Sequence, residues 1–496
     1  MKPLTIKIYF IAAALSVLAS CSKLNEQPFS SIFTDQFYKT ASDAEAALTA
    51  AYSPISGLYN TAAICASDWS ADQIYPRPVV GRNTLTLFNY DANYTTQKSF
   101  SRQFESPQQI WESCYQGIEK VNWVLAKVPN TQMDVARRDQ IMGEAYFLRA
   151  FYHWTLTKNF GDVILKTSAS NSLTNAVVAK STQADIYKQV FADLDVAVNS
   201  LPSYSSALQK GRTCKEVALL LYAKAALYSG NWPLAFEKAQ AVRSSNKYTL
   251  MAEVTDLYNV AREDVARQEN MWAFECESAT PGLSNQMLSL YGPKNSDGPA
   301  YGASTFGSAF AYQAFFDSFD PSDARRKLLD TFYVNKSGQV VHQKDITPIT
   351  PKGVLVKKYM DANSVGISGT INVPIFRFAD AFLIAAEAEA RQNGATKVAY
   401  DLIHEIRFRA HVDDLPQGLS KDQFIEAVLQ ERSWEFFAEG DRWYDLTRTG
   451  KFLTVIPAAV NDVYPVRAPQ AKHKYFPIPQ DEINANVSIQ QNDPWK

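Results

Sequence analysis

The sequence predicts a mostly α-helical protein, with antiparallel helix pairs stacked into a scaffold and one long loop-rich insertion. Three observations predict it. Apolar residues recur at alternating steps of four and three over much of the chain, as in Cys114, Ile118, Val121, Leu125 and Val128. Two segments, Ala218 to Val242 and Ala381 to Ala410, each place small alanines in two helices joined by a short turn, Gly230-Asn231 or Asn393-Gly394. Between them, residues 278–375 hold many of the glycines and prolines and little helical period outside Ser308 to Phe319. A helix with one apolar face must bury it against a neighbour, so a packed array is the economical solution.

In chain order, Lys2 and Lys7 precede an apolar run from Ile8 to Leu18 that is too short to span a bilayer, and Leu18-Ala19-Ser20-Cys21 closes it. Residues 1–20 therefore read as a cleaved export signal. The closing tetrapeptide resembles the bacterial lipobox, which implies that Cys21 becomes the first mature residue and carries acyl chains such as palmitate. Residues 21–496 form the body: a helical scaffold over 40–250 and 375–450, the insertion over 278–375 and a C-terminal segment over 451–496. Thr40-Ala-Ser-Asp43, Thr182-Gln-Ala-Asp185 and Thr213-Cys-Lys-Glu216 have capping-box spacing and open three helices, the first closed by Pro54. Ile141, Ala145, Leu148 and Tyr152 mark another helix face, and Pro233 suits a first helical position. Small residues at the crossings let paired helices approach closely, which looks like a right-handed tetratricopeptide-type array. In the insertion, Gly338-Gln-Val-Val and Gly353-Val-Leu-Val read as β-pieces.

Composition excludes several functions. A formal net charge of −2 leaves no footprint for nucleic acid. Cys65, Cys114, Cys214 and Cys276 are far apart, without C-x-x-C spacing, and read as buried free thiols, although an exported location permits a disulfide. Five scattered histidines argue against a metal site and read as capping or surface residues, and no cofactor is implied. Gly302-Ala-Ser304-Thr-Phe306-Gly307 is one residue too long for a nucleophile elbow. Glu431, Glu435 and Glu439 stand four apart on one helix face near Arg407, Arg409, Arg432 and Arg448. Three carboxylates in a row repel and need arginines, so they read as an ion-pair network locking the last helical pair to the C-terminal segment.

The stretch from Cys65 to Gln97 is the first candidate for binding. Trp69, Tyr75, Tyr90 and Tyr94 are interleaved with Arg77, Arg82, Asn83, Asn89, Asp91 and Asn93, without helical period. Flat aromatic faces suit the CH-rich face of a sugar, and Arg, Asn and Asp satisfy its hydroxyls. These rings are expected to form a shallow exposed platform for a neutral oligosaccharide, with Arg77 on its hydroxyls.

A set of motifs then points to a family. Gly143-Glu-Ala-Tyr-Phe-Leu-Arg-Ala-Phe-Tyr-His-Trp154 runs on to Asn159-Phe-Gly-Asp162. Ile375-Phe-Arg-Phe-Ala-Asp380 follows, then Glu439-Gly-Asp-Arg-Trp-Tyr-Asp-Leu446 and Tyr475-Phe-Pro-Ile-Pro-Gln480. In this order they resemble the SusD/RagB family of outer-membrane nutrient-binding lipoproteins. The resemblance implies a SusD-like fold and a non-enzymatic protein, lipid-anchored and exposed on the outer membrane. It also implies a lid on a SusC-like TonB-dependent transporter, to which it delivers an oligosaccharide. Alternatives are the same uptake role with a peptide ligand, or a tetratricopeptide-type scaffold that binds only proteins. The resemblance further implies that Tyr291 and Tyr301, from the insertion, form the opposite wall of the ligand surface.

Overall fold

The computed structural model describes residues 37–79, 81–93, 105–170, 177–277, 282–294, 301–302, 304–345 and 353–496. The export signal, Cys21 and Tyr94 lie outside them. Helices begin where side chains satisfy their first amides. At α1 (Ala41–Tyr52) the Thr40 hydroxyl accepts from the Asp43 amide and the Asp43 carboxylate accepts from the Thr40 amide, a full capping box. Thr182 accepts from the Asp185 amide in the same way at a later helix start. Thr213 does not cap its helix: Cys214 occupies that position without a side-chain bond, and Glu216 instead accepts from the Tyr204 amide at 2.8 Å.

The other helices of seven or more residues among those described are α2 (Ala62–Asp68), α3 (Pro107–Lys127), α4 (Val135–Phe160), α5 (Gln183–Ser200), α6 (Lys215–Ser229), α7 (Trp232–Ser244), α8 (Phe378–Asn393), α9 (Lys397–Arg409), α10 (Lys421–Glu435), α11 (Arg442–Arg448) and α12 (Phe452–Ala458). They stack in sequence order, α3 on α4, α4 on α5, α5 on α6 and α6 on α7. Glycine at 117 permits the α3–α4 crossing, because a Cβ there would lie 2.3 Å from the Tyr152 ring. Gly230 turns α6 into α7 with φ +79°, and Pro233 takes the second helical position rather than the first. After the insertion, α8 packs directly on α7, so the chain re-enters the array where it left, and α9 and α10 continue from α8. The alanines sit at these contacts: Ala235, Ala239, Ala385, Ala386 and Ala388 are all fully buried.

The insertion is folded through short antiparallel strand pairs. β1 (Ile74–Pro76) pairs with β3 (Ala309–Ala311), β2 (Asn270–Phe274) with β8 (Val373–Arg377), β4 (Leu329–Asp330) with β7 (Leu355–Val356) and β5 (Phe332–Val334) with β6 (Val340–His342). The helical period expected over Ser308 to Phe319 is thereby divided: Ala309–Ala311 is drawn into a strand by Ile74–Pro76, and only Gln313–Asp317 is helical. Cys65, Cys114, Cys214 and Cys276 are free thiols. His153 and His473 are buried rather than superficial. His473 still works as a cap, its Nδ1 accepting from the Gln470 amide at 2.8 Å. No helix among the described residues is long and apolar enough to cross a membrane.

Candidate functional site

The structure places five of the expected sugar-stacking rings in the core. Trp69 and Tyr291 are fully buried, and Tyr75, Tyr90 and Tyr301 do not exceed 4% exposure. Trp69 caps the end of α2, and its carbonyl accepts from the Thr86 hydroxyl at 2.8 Å. Tyr75 lies in β1 with its ring 4.7 Å from that of Tyr312 and 6.1 Å from that of Tyr464. Tyr90 packs on Phe476 and Trp495 of the C-terminal segment, at 5.5 and 5.6 Å. Tyr291 stacks on Tyr359 at 5.7 Å, and Tyr301 meets Tyr333 edge-on at 6.4 Å.

The expectation of a shallow exposed platform is therefore corrected for these five. Ile74–Pro76 pairs with the insertion and Tyr90 packs on the C-terminal segment, and large rings are what fill such seams. The stretch is also not free of helix: Cys65–Asp68 closes α2 and Thr84–Leu87 forms a further helical turn. Trp69→Ala should consequently cost about 3–5 kcal/mol of stability, the range for emptying a buried aromatic site. A thermal melt reads this directly, and an unchanged melting temperature would return the ring to the surface.

Arg77 keeps solvent-facing area where its aromatic neighbours do not. It leaves the end of β1 with its amide donating to the Ser308 carbonyl at 2.9 Å, and its Nη1 reaches the Phe306 carbonyl at 3.4 Å. Pro78 and Val79 beside it are exposed, and Phe306 is half-buried. Arg82, of the same segment, is instead buried in an ion pair with Glu105 at 2.8 Å and donates to the Ser308 hydroxyl at 2.7 Å.

The carboxylate row is a buried ion network, though arranged otherwise than a single helix face. Helix α10 ends at Glu435, so Glu439 stands in the following turn. Arg377 bridges three carboxylates, Glu269, Glu435 and Glu439, each at 2.8 Å. Arg409 joins Glu435 at 2.6 Å and Glu269 at 3.1 Å, while Arg325 holds Glu431 at 2.6 Å and Glu435 at 3.3 Å. Lys358, also buried, closes on Glu439 at 2.6 Å. Burial alone would raise the Glu435 carboxyl, but Arg409, Arg377 and Arg325 hold it well below the usual carboxylate range.

A second cluster continues from the first: Arg432 pairs with Asp380 at 2.6 Å and Asp445 at 2.8 Å, and Lys224 with Asp380 at 2.7 Å and Asp441 at 2.8 Å. The network thus ties α6, α8, α9 and α10 to the insertion and to β8, not to the segment 451–496. Arg325, Lys358 and Glu269 escaped the sequence reading. The available signal was a charged residue inside an apolar run, as with Arg377 in Ile375-Phe-Arg-Phe. Near the same seam, burial pushes the Asp68 carboxyl up to about 8, against bonds donated by the Tyr291 hydroxyl and the Gly440 amide.

The profile described as the SusD family matches residues 228–495. The chain belongs to the SusD family. Residues 33–227 match a second SusD-like profile, described as starch-binding and associating with the outer membrane. A SusD-like protein of Formosa agariphila is 26% identical over 96% of this chain and 95% of its own length. Among solved structures, surface glycan-binding protein A from Bacteroides uniformis superposes with a TM-score of 0.77 at 22% identity, covering 92% of this chain and all of the other. The homonymous protein from Bacteroides thetaiotaomicron, in complex with laminarihexaose, gives 0.75 at 20% identity over the same shares. The SusD fold is therefore the fold of this chain, helices first and strands few. SusD family glycan-binding proteins are non-catalytic, and the glutamate row here is structural.

Proposed function

We propose that the protein is a surface-exposed binder that captures an oligosaccharide and delivers it, as a lid, to a SusC-like TonB-dependent transporter, tethered to the outer membrane through acylated Cys21. The observation that carries this reading is family membership across 228–495, joined to an N-terminal half whose profile is named for starch binding. The lipobox-like Leu18-Ala19-Ser20-Cys21 supports the anchor. Arg77, half-buried beside exposed Pro78 and Val79, supplies hydroxyl-directed donors at the ligand face, with Tyr94 as the ring from the same stretch. Tyr75, two residues before Arg77, packs on Tyr312 and Tyr464 and fixes the strand from which that arginine leaves.

Calorimetric titration of the purified full chain against neutral glucans, laminarihexaose and maltohexaose among them, tests the reading. Saturable heat with at least one glycan is expected, and Arg77→Ala should weaken it several-fold while leaving the melting temperature unchanged. Silence with every glycan, together with saturable binding to a peptide panel, would replace the oligosaccharide with a peptide cargo. Gently solubilised outer membranes should yield a complex with a large TonB-dependent barrel.

A further inference from the structure

A cleft of about 380 Å³ opens between α4, α5, α6, α11 and the C-terminal segment, and neither Arg77 nor any of the five buried rings above lines it. Its size falls within the roughly 300–1,000 Å³ of small-molecule sites. The walls are four tyrosines, Tyr187, Tyr228, Tyr444 and Tyr475, and the charged groups that line it are all cationic: Lys158, Arg448 and Lys474. Arg448 is already committed to Glu387 at 2.6 Å and Asp445 at 2.8 Å.

Lys158 is different. Its ammonium lies 4.3 Å from the Trp154 ring centre and 4.2 Å from that of Tyr444, and it makes no hydrogen bond or ion pair among the described residues. Aromatic faces attract a cation but do not satisfy its three N–H donors. Burial pushes the amine down to about 7, with Lys224 adding to the effect and Asp441, itself bound to Lys224, opposing it. The Tyr228 hydroxyl in the same cleft is buried and has no hydrogen-bond partner. Lys158 is therefore a half-buried cation at the cleft that no carboxylate among the described residues neutralises, while the Tyr228 hydroxyl is closed off from solvent.

We propose that this cleft is a second ligand site, distinct from the Arg77 face, that takes a carboxylate carried on a sugar ring, that is, a hexuronate unit of an acidic glycan. The carboxylate meets Lys158, and the pyranose lies against the tyrosine faces. Ala184 is the sole aliphatic side chain in the lining, which offers hydroxyls at Ser229 and Thr447 and no apolar pocket for an amino-acid side chain. A further cavity of about 310 Å³ shares Gln183, Lys474 and Tyr475 with the cleft, but Asp162 and Asp493 line it beside Lys180 and Lys472, so the acidic unit is placed in the first cleft alone.

The test is calorimetric titration of the full chain with digalacturonate and, in parallel, with galactobiose. Digalacturonate should bind at least tenfold tighter at low salt. Lys158→Met should bring the ratio near one without lowering the melting temperature, since it removes a charge with no ionic partner. Ala184→Trp, a change at an exposed position of α5, should block the mouth and abolish binding of the acid even if the lysine variant fails to fold. Equal affinity for the two sugars, an acid preference that survives both substitutions, or tighter binding of a peptide through its C-terminal carboxylate would each overturn the proposal.

Discussion

Arg377→Met is expected to destabilise the protein by about 3–5 kcal/mol, the loss seen when one partner of a buried ion cluster is removed and the others stay uncompensated. The guanidinium serves Glu269, Glu435 and Glu439 at 2.8 Å each and also donates to the Glu435 carbonyl at 3.0 Å. Methionine fills much of the same volume, so the deficit measures charge rather than cavity. In urea the midpoint should fall while the slope stays constant, since the surface exposed on unfolding is little changed. The pH dependence has a definite sign. The Glu435 and Glu439 carboxyls are held below their ordinary values in the folded protein: burial opposes this, and arginines prevail, with Lys358 adding at Glu439. That stability is present above the unfolded carboxylate value of about 4.3 and is lost as pH falls through the lower folded values. The gap between wild type and variant should therefore narrow on acidification. A variant within 1 kcal/mol of wild type at neutral pH, on the scale of an exposed pair, would show the network to be energetically idle.

Cys21→Ala is expected to move the protein from the membrane pellet to the soluble fraction and to abolish labelling with a palmitate analogue. The reason is additive burial of acyl methylenes at about 0.8 kcal/mol each, which makes several chains a stable anchor where one is marginal. Among the described residues no helix is long and apolar enough to cross a bilayer. Continued labelling of the variant would end the lipoprotein reading. Loss of labelling with full retention in the pellet would instead point to the barrel partner as the anchor.

Much of the fold was legible because it is written in local periodicity. The repeat through Cys114, Ile118 and Val121 is the buried face of α3, and the alanine-rich segments are the α6–α7 and α8–α9 pairs. Thr40 and Thr182 cap as their spacing requires. Thr213 fails for a tertiary reason: its amide is taken by the Tyr52 hydroxyl at 3.2 Å, and the helix starts beyond it. The site was far less legible. An aromatic residue without helical period has the same sequence signature whether it stacks on a ligand or fills a seam, and Trp69 and Tyr291 fill a seam. Lys158 carried no signal at all, since a lysine near the end of a helix is ordinarily a solvated one.

By itself, then, the sequence determined the helical class and the carboxylate–arginine character of the Glu431 to Asp445 stretch. These depend on residues close in the chain, where spacing and geometry are nearly the same thing. Tertiary structure alone decided which charges meet and which rings see solvent. Arg377 reaches Glu269 and Glu439 from 108 and 62 residues away, and Tyr291 finds Asp68 across 223. Such pairings are set by how the insertion folds back on the array, and burial is a property of the closed surface rather than of any segment of the chain.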